Sequence, residues 1–137
     1  MHKILLTLLV LLASPANPSS PFTGTWEGRM NDQPAIELTL HDVSGTISGA
    51  IIFYFQRRGK DGKWRVEGVD NPIPLLVPRV HGKSLEFEVT HHKSHGSKEL
   101  GPNATFRVKL TGPNSAKLFK TDELPGGGPG LKLTRRP

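Results

Sequence analysis

Hydrophobic and polar residues alternate one by one along much of the chain, and this period of two is typical of β-strands with one buried face. The alternation is clearest over residues 36–41, 85–90 and 105–110. In each stretch an apolar side chain occupies every second position and polar side chains occupy the positions between. The pattern therefore predicts strands whose apolar faces together form a hydrophobic core.

Turn-forming residues separate the predicted strands. Residues 31–32, 59–62 and 112–114 are rich in Asn, Asp, Gly and Pro, which favour tight turns. Residues 75–80 are extended but are flanked by Pro74 and interrupted by Pro78, which predicts a sheet edge or a bulge, because proline has no N–H to donate.

The fold class that follows is all-β, with eight or nine short strands and no convincing helix. Short connections between successive strands predict an antiparallel up-and-down meander. A meander of this size commonly closes into a barrel, which removes its exposed edges. A β-sandwich is the alternative that the pattern leaves open.

The first residues predict export from the cytosol. A short cationic start precedes an apolar run over residues 4–13, which is shorter than the roughly 20 residues that span a bilayer. Small residues follow at 14–16, as at a signal-peptidase site. We expect residues 1–16 to be a signal peptide, 17–22 a flexible leader and 23–137 a single β-barrel domain. The expected location is periplasmic or extracellular, in a bacterial host.

The two ends of the predicted domain carry a family resemblance. Gly24-Thr25-Trp26 resembles the G-x-W signature of the calycins, the group of lipocalin-like, fatty-acid-binding and avidin-like barrels. The overall pattern also resembles small secreted bacterial barrels. The resemblance implies that Trp26 closes one barrel end and that an arginine of the last strand packs across it. Arg135 is the expected partner, and Arg136 is the rival candidate.

The inward positions of a closed barrel predict an apolar interior. Such a wall suits a small apolar ligand held mainly by burial. In the alternative, the same side chains fill the interior and the barrel serves structure or protein interaction, because an eight-stranded barrel is barely wide enough for one small ligand. The predicted lining residues are Ile36, Leu38, Ile51, Phe53, Phe55, Phe87, Phe106 and Val108.

Three histidines form the densest titratable cluster of the sequence. His91, His92 and His95 are weak candidates for metal ligands, since adjacent residues on a strand point to opposite faces. An exposed polar loop is the expected role of this segment. An enzyme with a histidine-containing site is the least favoured alternative, because no serine lies in a nucleophile motif and no carboxylate pair lies in an evident cleft. We therefore expect a non-enzymatic binding module without a cofactor.

The amino-acid composition excludes some kinds of site and limits the binding partners to be expected. The 137 residues contain no cysteine, which excludes disulfides and thiolate metal sites. Lysine and arginine number 18 against 12 acidic residues, and the excess lies after residue 78. This diffuse positive charge predicts weak contact with an anionic surface, while nucleic acid and a transmembrane segment are not expected. Ligand identity and oligomeric state stay open.

Overall fold

The computed structural model describes residues 20–90, 97–121 and 128–137. All secondary-structure elements within these ranges are β-strands. Antiparallel pairing links all of them into one sheet. The strands are β1 (Gly24–Met30), β2 (Gln33–Val43), β3 (Thr46–Arg58), β4 (Trp64–Val69), β5 (Ile73–Pro74), β6 (Leu76–His81), β7 (Ser84–Val89), β8 (Ala104–Gly112), β9 (Ser115–Lys120) and β10 (Leu131–Arg135).

The sheet is an antiparallel meander that curls into a half-barrel. Nine strands follow the order β4-β3-β2-β1-β10-β9-β8-β7-β6, and the two-residue β5 pairs with β3 beside this path. The first and last strands are neighbours, with Trp26 opposite Arg135 and Gly28 opposite Leu133. The all-β class and the meander predicted from the alternation are confirmed.

The short β5 links β3 to the segment that leads into β6, and we call this junction the seam. β5 pairs with Ala50 and Ile51 of β3, and the Leu75 N–H donates to the Gly49 carbonyl at 3.0 Å. From Leu76 onward the chain pairs with β7 instead. The register shifts between Leu76 and Arg79, which confirms the bulge expected from the prolines. Since Pro74 and Pro78 cannot donate, the seam carries few hydrogen bonds.

The hydrophobic core lies on the concave side of the sheet. Strands β2, β7 and β8 alternate buried and less buried residues as the sequence pattern predicts. The buried apolar residues are Phe22, Trp26, Ile36, Leu38, Leu40, Ile47, Ile51, Leu85, Phe87, Val89, Ala104, Phe106, Val108, Ala116, Leu118 and Leu133.

Phe22 is packed in this core, although the sequence pattern assigns it to a flexible leader. Its side chain is fully buried, and its carbonyl accepts a hydrogen bond from Trp26 Nε1 at 2.8 Å. Ser20 N also donates to Asp42 Oδ2 at 3.0 Å. The domain therefore begins by Ser20, whereas the predicted signal peptide and residues 17–19 lie outside the described part of the chain.

Gly49 allows β2 and β3 to approach closely. A Cβ atom at this position would lie 2.0 Å from the Thr39 carbonyl oxygen, far inside van der Waals contact. Gly49 pairs with Leu40, directly before the seam begins on β3. A larger residue would force the two strands apart at the point where the sheet curls.

Candidate binding site

Most of the predicted lining residues lie in the packed core. Six of the eight are buried, namely Ile36, Leu38, Ile51, Phe87, Phe106 and Val108. Phe53 is half-buried and packs against the same cluster, with its ring centroid 5.9 Å from that of Phe106. The Phe106 ring in turn stacks on Phe87 at 5.8 Å. Phe55 is half-buried at a register shift of the β3–β4 ladder.

An open cleft with a mixed apolar and polar lining lies at the seam, between the start of β3 and the bulged part of β6. Its volume is about 550 Å³, which lies within the range of about 300–1,000 Å³ found for small-molecule sites. None of its lining side chains is charged. The lining residues are Gly45, Thr46, Ile47, Ser48, Leu75, Pro78 and Val80.

The cleft combines an apolar floor with a polar rim. Ile47 is buried and Leu75 packs against the core, so the floor is continuous with the hydrophobic interior. Val80 lies opposite the buried Leu85 and is 47% exposed, because no strand covers it on the side of the seam. Thr46 and Ser48 flank Ile47 on β3 and are exposed, so their polar backbone groups border the opening of the cleft. The arrangement can bury an apolar group and orient it through a few hydrogen bonds.

Backbone strain accompanies the cleft. Val77 has a φ of 46°, a left-handed conformation that a β-branched residue rarely adopts. It lies between Leu75 and Pro78, inside the bulge of β6. Strain of this kind costs on the order of 1–3 kcal/mol and concentrates at functional sites.

Trp26 and Arg135 hold the end of the half-barrel at which the described residues begin. The guanidinium carbon of Arg135 lies 4.6 Å from the centre of the Trp26 ring. Arg135 Nη1 donates to the Thr23 carbonyl at 2.8 Å, and Nη2 donates to the Pro21 carbonyl. The fully buried indole is thereby covered by a cation that also fixes the preceding turn.

Arg136, the rival candidate, points to the outer face of the sheet. It pairs with Glu27 and lies 2.9 Å from Glu37 Oε2. Hydrogen bonds to Glu27 and then to Glu37 raise the pKa of Arg136 above its ordinary value. These three side chains and Tyr54 border a depression of about 100 Å³, which is below the usual size of a small-molecule site.

The histidine cluster lies outside the described residues, since 91–96 are not among them. His41 and His81 are both exposed on strands of the sheet. Among residues 20–90, 97–121 and 128–137, no three His, Cys, Asp or Glu side chains form a group that could hold a metal ion. The same ranges contain no helix of the length and apolarity that a membrane span requires.

Acidic side chains of the β3–β4 hairpin partly neutralise its basic side chains. Arg65 binds Asp61 through two hydrogen bonds of 3.1 and 2.5 Å, and Arg57 lies 3.0 Å from Glu67. The Arg65 guanidinium, followed by the Lys63 backbone N–H, lowers the pKa of Asp61. The positive charge of this hairpin is thus reduced, and Trp64 on β4 is 38% exposed.

Comparison with protein-family models, with curated proteins and with solved structures finds no match to this chain. Sequence reasoning missed the seam cleft, because alternation identifies inward positions but does not show where two strands part. The available signal was the pair Pro74 and Pro78, which weakens pairing on both sides of Leu75.

Proposed function

We propose that this chain is a non-enzymatic binding module that holds a small apolar molecule in the seam cleft. The observation that carries the proposal is the cleft itself, with about 550 Å³ of space and an uncharged lining that includes Ile47, Leu75, Pro78 and Val80. Sites of this kind bind by burial, and a few polar groups fix the orientation of the ligand. Backbone groups of residues 45–48 are available for that at the rim.

The seam is a better place for a ligand than the centre of the half-barrel. Three phenyl rings, Phe53, Phe87 and Phe106, meet in the core at centroid distances of 5.9 and 5.8 Å. A ligand at the centre would have to displace these packed rings and lose their contacts. In the cleft, a ligand covers Val80 and Leu75 without disturbing the core.

The expected affinity is modest. Each 100 Å² of apolar surface removed from water contributes about 2.5 kcal/mol. Association and ordering costs on the order of 4 kcal/mol or more oppose this gain. A ligand that buries about 400 Å² of apolar surface would keep about 6 kcal/mol or less, which corresponds to a dissociation constant of roughly tens of micromolar or weaker.

We further propose that the chain is a calycin-like barrel exported by a bacterium. Support comes from the N-terminal apolar run, from the meander with paired first and last strands, and from the contact of Arg135 with Trp26. N-terminal sequencing of the protein recovered outside the cytosol tests export. A mature start near residue 17 is expected, and recovery of the intact chain from the cytosol would contradict it.

A second candidate function is protein interaction through β4. This strand ends the path of the sheet, so one of its edges carries no partner within the described residues. Trp64, Val66 and Val69 are exposed on it by 38%, 36% and 57%. Exposed edges with apolar side chains can accept a further strand from another protein.

Amide chemical shifts distinguish the two candidates. The protein is titrated with a neutral naphthylamine, and shifts are followed by heteronuclear NMR. If the probe binds at the seam, the largest chemical-shift changes are expected at residues 45–48 and 75–80. Changes confined to 64–69 would favour the edge of β4, and changes centred on the core phenylalanines would contradict a site at the seam.

A further inference from the structure

Three lysines stand in line across neighbouring strands on the outer face of the sheet. Lys109 of β8 lies directly opposite Lys117 of β9, and Lys117 lies directly opposite Lys132 of β10. We call Lys109, Lys117 and Lys132 the lysine row. Neighbouring strands are about 4.8 Å apart, so the row places three cations along a line that crosses the strands.

The lysine row has no acidic partner in the described part of the chain. All three side chains are exposed, and none forms an ion pair with an acidic residue there. Elsewhere the sheet places opposite charges together, as in Glu86 opposite Arg107. Like charges at directly opposite positions destabilise a sheet. The row therefore has an energetic cost that contacts within the described chain do not offset.

We propose that the lysine row binds a linear anionic polysaccharide, with successive carboxylate or sulfate groups on successive lysines. Cations at the regular interval of the strands fit a polymer with anionic groups at regular intervals. Such a ligand neutralises all three side chains together and removes their mutual repulsion. Binding of this type depends on charge and is weakened by salt.

Hydroxyl side chains lie beside the lysine row. Ser115 is opposite Thr134, and the two residues lie two strand positions from Lys117 and Lys132, respectively. Thr111 Oγ1 donates to Ser115 Oγ at 3.0 Å and is exposed on the same side. These groups can exchange hydrogen bonds with the hydroxyls of a sugar chain that runs along the row.

The surroundings of the row favour a polysaccharide over a membrane or a nucleic acid. The large apolar residues that are exposed in the described chain lie on β1, β2, β4 and β6 and at Leu100, and none lies on β8, β9 or β10. A membrane-surface site needs such residues, and single-stranded nucleic acid needs exposed aromatic rings for stacking. Phe119 of β9 does not offer one, because Gly130 and Arg107 pack against its ring.

The lysine row is independent of the ligand site at the seam. The lysine row lies on β8, β9 and β10, whereas the cleft is lined by residues 45–48 and 75–80. Failure of one site therefore leaves the other intact. A variant altered in the row is expected to bind the naphthylamine unchanged.

Titration with dextran sulfate tests the proposal, and neutral dextran serves as the matched probe. The row variant combines Lys109→Gln, Lys117→Gln and Lys132→Gln. The control variant removes the same number of charges through Arg57→Gln, Arg58→Gln and Lys60→Gln in the basic hairpin. We expect the wild type to bind dextran sulfate but not neutral dextran. The row variant is expected to bind dextran sulfate about 10-fold or more weakly than the wild type at low salt. The control variant is expected to lose much less of its affinity for dextran sulfate.

Three results would overturn the proposal. Equal losses of affinity for dextran sulfate in the row and control variants would show that net charge alone governs binding. Dextran sulfate binding that is unchanged in the row variant would exclude the row. Tighter, row-dependent binding to phosphatidylglycerol vesicles or to single-stranded DNA than to dextran sulfate would assign the row to that partner instead. Thermal unfolding of each variant checks that the fold is retained.

Discussion

The guanidinium carbon of Arg135 lies 4.6 Å from the centre of the Trp26 ring, with the two residues at opposite positions of the last and first strands. The same guanidinium donates to the carbonyls of Pro21 and Thr23. One side chain thus connects the end of the described chain to its beginning. Because Trp26 and Phe22 are fully buried beside it, the contact completes the core at this end of the half-barrel.

Replacing this arginine by lysine tests the role of the planar guanidinium. Arg135→Lys keeps the charge but cannot bond two carbonyls while lying flat on the indole. We expect a loss of about 1–3 kcal/mol in the free energy of unfolding, from the cation–π contact and one or two hydrogen bonds. Urea denaturation followed by Trp fluorescence measures it. Arg136→Lys is the matched control, and an equal loss in both variants would contradict the assignment.

The close approach of β2 and β3 predicts that Gly49 does not tolerate a side chain. In Gly49→Ala the new methyl group would meet the Thr39 carbonyl oxygen, so the strands must shift. We expect destabilisation of about 2 kcal/mol or more, as for overpacked cores, measured by thermal unfolding. Gly45→Asn is the control, since Gly45 has open space and a φ of 84° that asparagine accepts. A stable Gly49→Ala protein would contradict the described strand register.

The strain at Val77 predicts a stabilising substitution. Val77→Gly removes the steric cost of a φ of 46° at an exposed position, and little burial is lost because Val77 is 56% exposed. We expect the free energy of unfolding to rise by about 1 kcal/mol. Val43→Gly, at an exposed position of β2 without this strain, should instead destabilise. Destabilisation by both substitutions would argue against strain at the seam.

The Asp61–Arg65 pair predicts a small acid-dependent contribution to the β3–β4 turn. The pKa of Asp61 is lowered in the folded state, so the ion pair stabilises the folded state at neutral pH. This stabilisation is lost as the pH falls through the lowered pKa of Asp61. Carboxyl NMR titration should show a midpoint below that of an ordinary aspartate. In Arg65→Gln the midpoint should rise, although the Lys63 N–H still lowers it. An unchanged midpoint in that variant would contradict the pairing.

The alternation of residues was sufficient to predict the strands because burial on one face imposes a period of two. It placed Leu38, Phe87 and Val108 inward, and all three are buried. It could not place Phe22, because a residue before the first strand is buried through the turn and the indole it contacts, which are tertiary features. The spacing of prolines marked the bulge near Val77. The cleft beside it depends on how far β3 and β6 separate, which no local pattern encodes.

Fluorescence titration with a neutral naphthylamine tests the proposed seam site most directly. The comparison uses wild type, Val80→Trp, which fills the cleft, and Val69→Trp, which adds the same side chain at an exposed position of β4. Matched thermal unfolding curves establish that all three proteins are folded. We predict saturable binding of one probe per chain to wild type and Val69→Trp, and loss of binding in Val80→Trp. Undiminished binding to Val80→Trp would contradict a ligand site at the seam.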